Sequence, residues 1–321
     1  MKRLLIVLVA VLGALIFWLG RPLVVHGLES RARPSRSYGE ALARIALIES
    51  EDSSAIAPEC RTLLLTHGHA TGRVIVLFHG LTNCPAQFDS LARLTFARGA
   101  NVFVPRLPRH GCSDRMTGEL ALMNADELRE FTDRCLDAAR GLGDSLTVAG
   151  LSVGGTLAAW SAVERTDVDR AVLIAPLFGI ALAPGALTPA VARLAARLPN
   201  FFMWWDPRLK QDLAGPRHVY PRFSSRSIAA TLELGAVTLE RAEHAGVRCR
   251  SLAIVTVGSD LAVDNGRAAE MARDCRAHDP RGIETYEFPK ALGLNHDIVD
   301  PAQIGGNPAL TYPVLMKFIA P

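Results

Sequence analysis

The chain has 321 residues, 49% apolar and 21% charged, which suits a globular protein with one sizeable core. Its 35 basic and 32 acidic side chains leave a formal charge of +3, with no Lys/Arg block interleaved with aromatics. That balance excludes the electrostatic footprint of a nucleic-acid binder, and no internal repeat or long low-complexity tract is present.

The first element is "MKRLLIVLVAVLGALIFWLG", residues 1–20, which is uncharged from Leu4 to Gly20. A membrane span takes ~20 apolar residues, so the run is slightly short. Lys2 and Arg3 can snorkel at one end and Trp18 suits the interface at the other. These features predict an uncleaved N-terminal transmembrane helix. The alternative is a signal peptide cut near Val25-His26-Gly27, giving a secreted protein. Lys2, Arg3 and the amino terminus favour a cytoplasmic front end and an extracytoplasmic, periplasmic body. Arg21, Arg31, Arg33 and Arg36 pull the other way.

Residues 21–59 read as a proline-marked linker followed by a short helix, "EALARIALIES". From Cys60 onward strands and helices alternate. "RTLLLT", "RVIVLFHG", "NVFVP", "DSLTVAG" and "RAVLIAP" are strands, with helices at "AQFDSLARLTFARG", "ADELREFTDRCLDAARGLG" and "GGTLAAWSAVERT". Near-continuous Val/Ile/Leu runs predict strands covered on both faces, hence a mostly parallel, doubly wound α/β sheet. No buried strand is expected over 177–246, where "TPAVARLAARL" and "SIAATLELGAVTLERAEHAG" are helical; this is an inserted helical cap. The sheet resumes with "RSLAIVTVG", so the core comprises 60–176 and 247–321.

Gly150-Leu151-Ser152-Val153-Gly154 closes a buried strand and opens a helix. This is the G-x-S-x-G pattern, in which glycines relieve a turn too tight for side chains and leave the serine exposed at the sheet edge. Such a hydroxyl needs a base. His296, in "ALGLNHD", follows the last strand at that same edge. Asp260, in "GSDLAVD", ends the preceding strand, where a carboxylate orients an imidazole. Asp264 is the alternative acid, although its place suits the start of the next helix. The oxyanion donors expected are the amides of Val153, after the serine, and Leu81, in the loop after "LFHG". His79 reads as a loop-structuring residue. Trp204 and Trp205 either line a substrate pocket or pack the cap down.

"VLFHGLTNCP", "PRLPRHGCSD", "GLSVGG", "GSDLAVD" and "NHDIVDP", in that order, resemble the successive blocks of the α/β-hydrolase superfamily, in particular the monoacylglycerol lipase, carboxylesterase and serine aminopeptidase-like group. The resemblance covers 60–321 apart from the cap. It implies the α/β-hydrolase fold, Ser152 as nucleophile, Asp260 as acid, His296 as base, and Leu81 with Val153 as oxyanion donors. The acid loop is a residue shorter than usual, which keeps Asp264 open. The expected activity is ester hydrolysis through an acyl-enzyme, on a small acyl ester or lipid near a membrane. The alternatives are amide or peptide hydrolysis and a non-catalytic binding protein of the same fold. No cofactor or metal is expected: His67-Gly-His69 lacks further ligands at useful spacing, and no G-x-G-x-x-G follows the first strand. Cys60 with Cys84, and Cys249 with Cys275, are candidate disulfides by expected position, with small buried thiols as the alternative.

Overall fold

The apolar runs at 74–78, 148–151 and 171–174 lie in the centre of the molecule, sealed from solvent. A computed structural model describes residues 27–181, 185, 188–210, 215–303 and 305–321, with eight isolated positions between 6 and 17. In chain order the strands are β1 (Leu63–Leu65), β2 (Thr71–Phe78), β3 (Asn101–Val104), β4 (Gly143–Leu151), β5 (Arg170–Ile174), β6 (Phe202–Trp204), β7 (Arg222–Ser224), β8 (Ser251–Val257) and β9 (Ile283–Phe288). The helices are α1 (Tyr38–Glu49), α2 (Asp89–Phe96), α3 (Ala125–Ala139), α4 (Val153–Glu164), α5 (Thr188–Arg197), α6 (Ser225–Ala245), α7 (Asn265–His278) and α8 (Pro308–Ile319).

The main sheet runs β1-β3-β2-β4-β5-β8-β9 and is parallel except for β1. The N-terminal strand β1 pairs with β3, Leu63 facing Val104, because β3 occupies that edge of β2. The chain winds outward from β2 to β3, then returns to β4 on β2's other side. Such a reversal opens a crevice beyond the strands' carboxyl ends, where α/β sheets bind ligands. Phe78 pairs with Gly150 there, so the turns after β2 and β4 leave the sheet side by side.

Between β5 and β8 the segment is not wholly helical. Helices α5 and α6 flank an antiparallel ribbon of β6 and β7, with Met203 opposite Phe223. Each of these strands is three residues long and most of their side chains are partly buried, so neither carries a readable hydrophobic period.

The segment expected as a linker lies against the body from Leu28 onward. Leu28 is buried and its carbonyl accepts from Trp160 Nε1 at 2.8 Å. The amides of Ser30, Arg31 and Arg33 donate to Glu164, Asp133 and Asp137. Asp133 and Asp137 in turn flank the fully buried Arg165 guanidinium, at 2.8 Å each, with Asp167 at 2.7 Å. No helix among the described residues is long and apolar enough to cross a membrane. The apolar run at 1–20 falls largely outside those residues.

Removing one member of a buried ion cluster strands the charges left behind. Arg165→Ala is therefore expected to lower unfolding stability by about 3–5 kcal/mol in urea titration.

Candidate active site

Ser152 stands between β4 and α4 with φ 58° and ψ −113°, outside the comfortable regions for a residue with a Cβ. The close approach around it leaves no room at the flanking glycines. A Cβ on Gly154 would fall 1.9 Å from the Phe78 carbonyl oxygen, and one on Gly150 would fall 2.3 Å from the Gly154 backbone. Among the described residues the other non-glycine residues with positive φ are Thr82, Arg109 and Ala175. They follow β2, β3 and β5, so all the strained positions lie at the carboxyl edge of the sheet. Strain gathered in this way makes this edge the candidate site.

Asp260 and His296 meet at that edge. His296 Nδ1 lies 2.6 Å from Asp260 Oδ2, while Asp260 Oδ1 accepts from the amides of Ala262 and Val263 at 2.7 and 3.2 Å. Burial pushes the Asp260 carboxyl up, but the hydrogen bond and charge of His296 and those two amides outweigh it and hold the group below its ordinary value. Asp264 does different work. Its Oδ1 accepts from Gly266 N at 2.9 Å and caps α7, away from the imidazole's partner. Ser259 Oγ donates to the Leu294 carbonyl at 2.7 Å, tying the acid loop to the histidine loop. The Ser152 hydroxyl and the His296 ring share this edge without a direct hydrogen bond between them.

Val153, the first residue of α4, has no helical carbonyl to receive its amide. The Leu81 amide is aimed by its own peptide unit. His79 Nε2 accepts from Leu107 N at 3.0 Å, so Nδ1 carries the proton and donates to the Gly80 carbonyl at 2.9 Å. Asn83 N reaches the same carbonyl at 3.2 Å. In a trans peptide N–H opposes C=O, so holding that carbonyl on one side turns the Leu81 N–H to the other.

Several residues that the sequence reading did not single out surround this turn. Thr82 donates its hydroxyl to the Leu81 carbonyl at 2.6 Å, receives Trp205 Nε1 on that hydroxyl at 2.9 Å, and receives Tyr220 N on its carbonyl at 2.8 Å. The inserted segment thus grips the turn through Trp205, which also lies against Phe223 at 4.3 Å between ring centroids. Trp204 faces elsewhere, with Lys210 Nζ 5.3 Å from its ring. His218 Nε2 lies 2.7 Å from Asp300 Oδ2, on the loop that carries His296. Gln87, Asn83 and Asp297 link the two loops from below; "NCPAQF" and "NHD" hold them, but nothing local pairs them.

A disulfide joins Cys60 to Cys84, pinning the far end of the turn after β2. Cys249 and Cys275 are not bonded. Both are buried free thiols pushed up to about 12 by burial, and Cys249 Sγ lies 3.3 Å from the Ser251 carbonyl. Among the described residues no group of three or more His, Cys, Asp or Glu is placed to hold a metal ion.

Residues 75–297 match the alpha/beta hydrolase family. No curated protein matches the chain. Among solved structures, the chain is similar to a metagenome-derived lipolytic enzyme from work on LipS and LipT: TM-score 0.60, 18% identity, over 82% of this chain and 98% of that one. It is also similar to a soluble variant of monoglyceride lipase from Saccharomyces cerevisiae: TM-score 0.60, 17% identity, 80% and 88%. A third is the monoacylglycerol lipase of Paleococcus ferrophilus: TM-score 0.56, 15% identity, 74% and 90%. At these identities the likeness is one of fold.

Behind the turn after β2, His79 and His110 are sealed from solvent with ring centroids 5.1 Å apart. Burial lowers His110 to about 4, and burial followed by His110 holds His79 well below its ordinary value. Both rings are neutral in the folded protein, whereas the unfolded chain takes up protons near pH 6.5. The stability they contribute is complete above that pH and is lost as pH falls toward the folded value. For His110 alone the loss between pH 6.5 and 4 is about 3 kcal/mol. Melting curves of wild type and His110→Asn should therefore converge as pH falls, the variant having the flatter profile.

Proposed function

Since the chain belongs to the alpha/beta hydrolase family, we propose that it is a serine hydrolase that cleaves carboxylic esters through an acyl-enzyme on Ser152. The observation that carries this reading is the 2.6 Å Asp260–His296 pair at the edge where Ser152 is held at positive φ. In this reading His296 Nε2 takes the Ser152 proton as Oγ attacks the ester carbonyl. Asp260 keeps the Nδ1 proton in place and stabilises the imidazolium. Contacts of this kind are commonly long in free enzymes and tighten when substrate is bound. The Leu81 and Val153 amides receive the developing oxyanion. His296 returns the proton to the leaving alcohol, and water then repeats the sequence on the acyl-enzyme.

An ester fits better than a peptide with a free α-amine. Such an amine calls for an unneutralised carboxylate, and Asp206 in the inserted segment is already held by Arg208 through paired bonds of 3.0 and 2.9 Å. A silent binding protein has no use for a strained serine on the same sheet edge as an oriented imidazole. The substrate is a small acyl ester or lipid. Attachment through residues 1–20 and an extracytoplasmic body complete the proposal. The disulfide between Cys60 and Cys84 favours that side, because oxidised pairs persist outside the reducing cytoplasm.

A fluorophosphonate probe should label the full chain at Ser152 and leave Ser152→Ala unlabelled. p-Nitrophenyl esters should be turned over and aminoacyl anilides should not. Equal labelling of both proteins removes Ser152 from the role, and anilide turnover above ester turnover reverses the substrate class.

A further inference from the structure

We propose that Gln87 is a positioning residue whose single carboxamide holds the oxyanion turn and the histidine loop at a set distance. This rests on the reading of Ser152, His296 and the two amides given above. Gln87 is buried in the 3-10 turn Pro85–Phe88 that follows the disulfide cysteine. Its Oε1 accepts from Gly80 N at 2.7 Å, one residue before the Leu81 donor. Its Nε2 donates to Asp297 Oδ2 at 2.7 Å, one residue after His296. Only one orientation of the amide serves both partners, since Gly80 N–H needs an acceptor and the Asp297 carboxylate needs a donor.

Asp297 is itself anchored. Its Oδ1 accepts from Val299 N and Asp300 N at 3.1 and 3.0 Å, and Asn83 Nδ2 adds a second donor to Oδ2 at 3.3 Å. The loop turns about this carboxylate immediately after the base. A path of two hydrogen bonds through one side chain therefore joins residue 80 to residue 297. The imidazole cannot drift from the oxyanion donors without breaking a charge-assisted bond. The titratable groups facing Asp297 are His296 and Asp300 on its own loop, His218 from the inserted segment, bonded to Asp300, and Tyr312 from α8.

The test uses the full chain with Gln87→Leu and Gln87→Glu. Leucine removes both bonds. A loss of about 10–100-fold in kcat with little change in KM is expected, because misplaced reacting groups cost turnover more than binding. Glutamate keeps the shape and the acceptor for Gly80 but sets a second carboxylate against Asp297. Such a pair shares a proton at lower pH. The ratio of Gln87→Glu to wild-type kcat should therefore climb as pH falls from about 8.5 to about 6. A pH-independent ratio, or wild-type turnover in Gln87→Leu, overturns the proposal. Amide hydrogen exchange supplies a readout that needs no turnover. Gln87→Leu should accelerate exchange in both 79–83 and 296–300 beyond any acceleration in the β4 and β5 segments, which report global stability, and acceleration in only one segment also overturns it. If wild type hydrolyses no ester at all, the assigned activity fails, and the exchange result alone decides whether the bridge stands.

Discussion

The spacing between α4 and the end of β2 governs the rest of this molecule. Gly154 lies so close to the Phe78 carbonyl that a Cβ would sit 1.9 Å from its oxygen. No side chain can occupy that gap, and none can occupy Gly150 against the Gly154 backbone. Only this approach lets α4 start directly against the turn after β2. The parallel pairing of Phe78 with Gly150 supplies the other half of the constraint, since it starts both turns at the same level.

Convergence of this kind is costly in backbone energy. Residues held in sparsely populated regions cost about 1–3 kcal/mol each. Here they follow β2, β3, β4 and β5 in turn. They persist because elements distant in sequence hold them. The disulfide grips the turn after β2 from the β1 side, His79 grips it from beneath, and Trp205 with Tyr220 grips it from the inserted segment. The insert is thus part of the machinery that shapes the site and not merely a cover over it.

Charge is divided between the two ends of α4. At the carboxyl edge of the sheet, Asp260 meets the His296 ring, while Asp297, next along the same loop, faces the turn after β2 through Gln87. Beyond the opposite end, Arg165 gathers three carboxylates, and the chain from Leu28 to Arg33 is stitched to the same residues through its backbone amides. The first cluster orients an imidazole. The second closes the amino end of the core, with one buried guanidinium shared among three carboxylates.

The Ser152 turn was legible in the linear text because glycines two residues either side of it encode a purely local backbone demand. The alternation of apolar runs with helical stretches likewise announced a parallel sheet, since burial on both faces suppresses a strand's usual period. Chain order narrowed the base to His296, but Asp260 and Asp264 sit so near each other that spacing alone left both open. The fold separates them: one carboxylate faces the imidazole and the other faces a helix amide. The same holds for the cysteines, where one proposed pair meets and the other lies as two buried thiols. Gln87 and Asp297 were invisible because 210 residues separate them, and a hydrogen bond across that distance leaves no periodicity behind. Local spacing determines what the backbone must do at a turn. Which side chains meet across turns is decided only when the sheet brings the turns together.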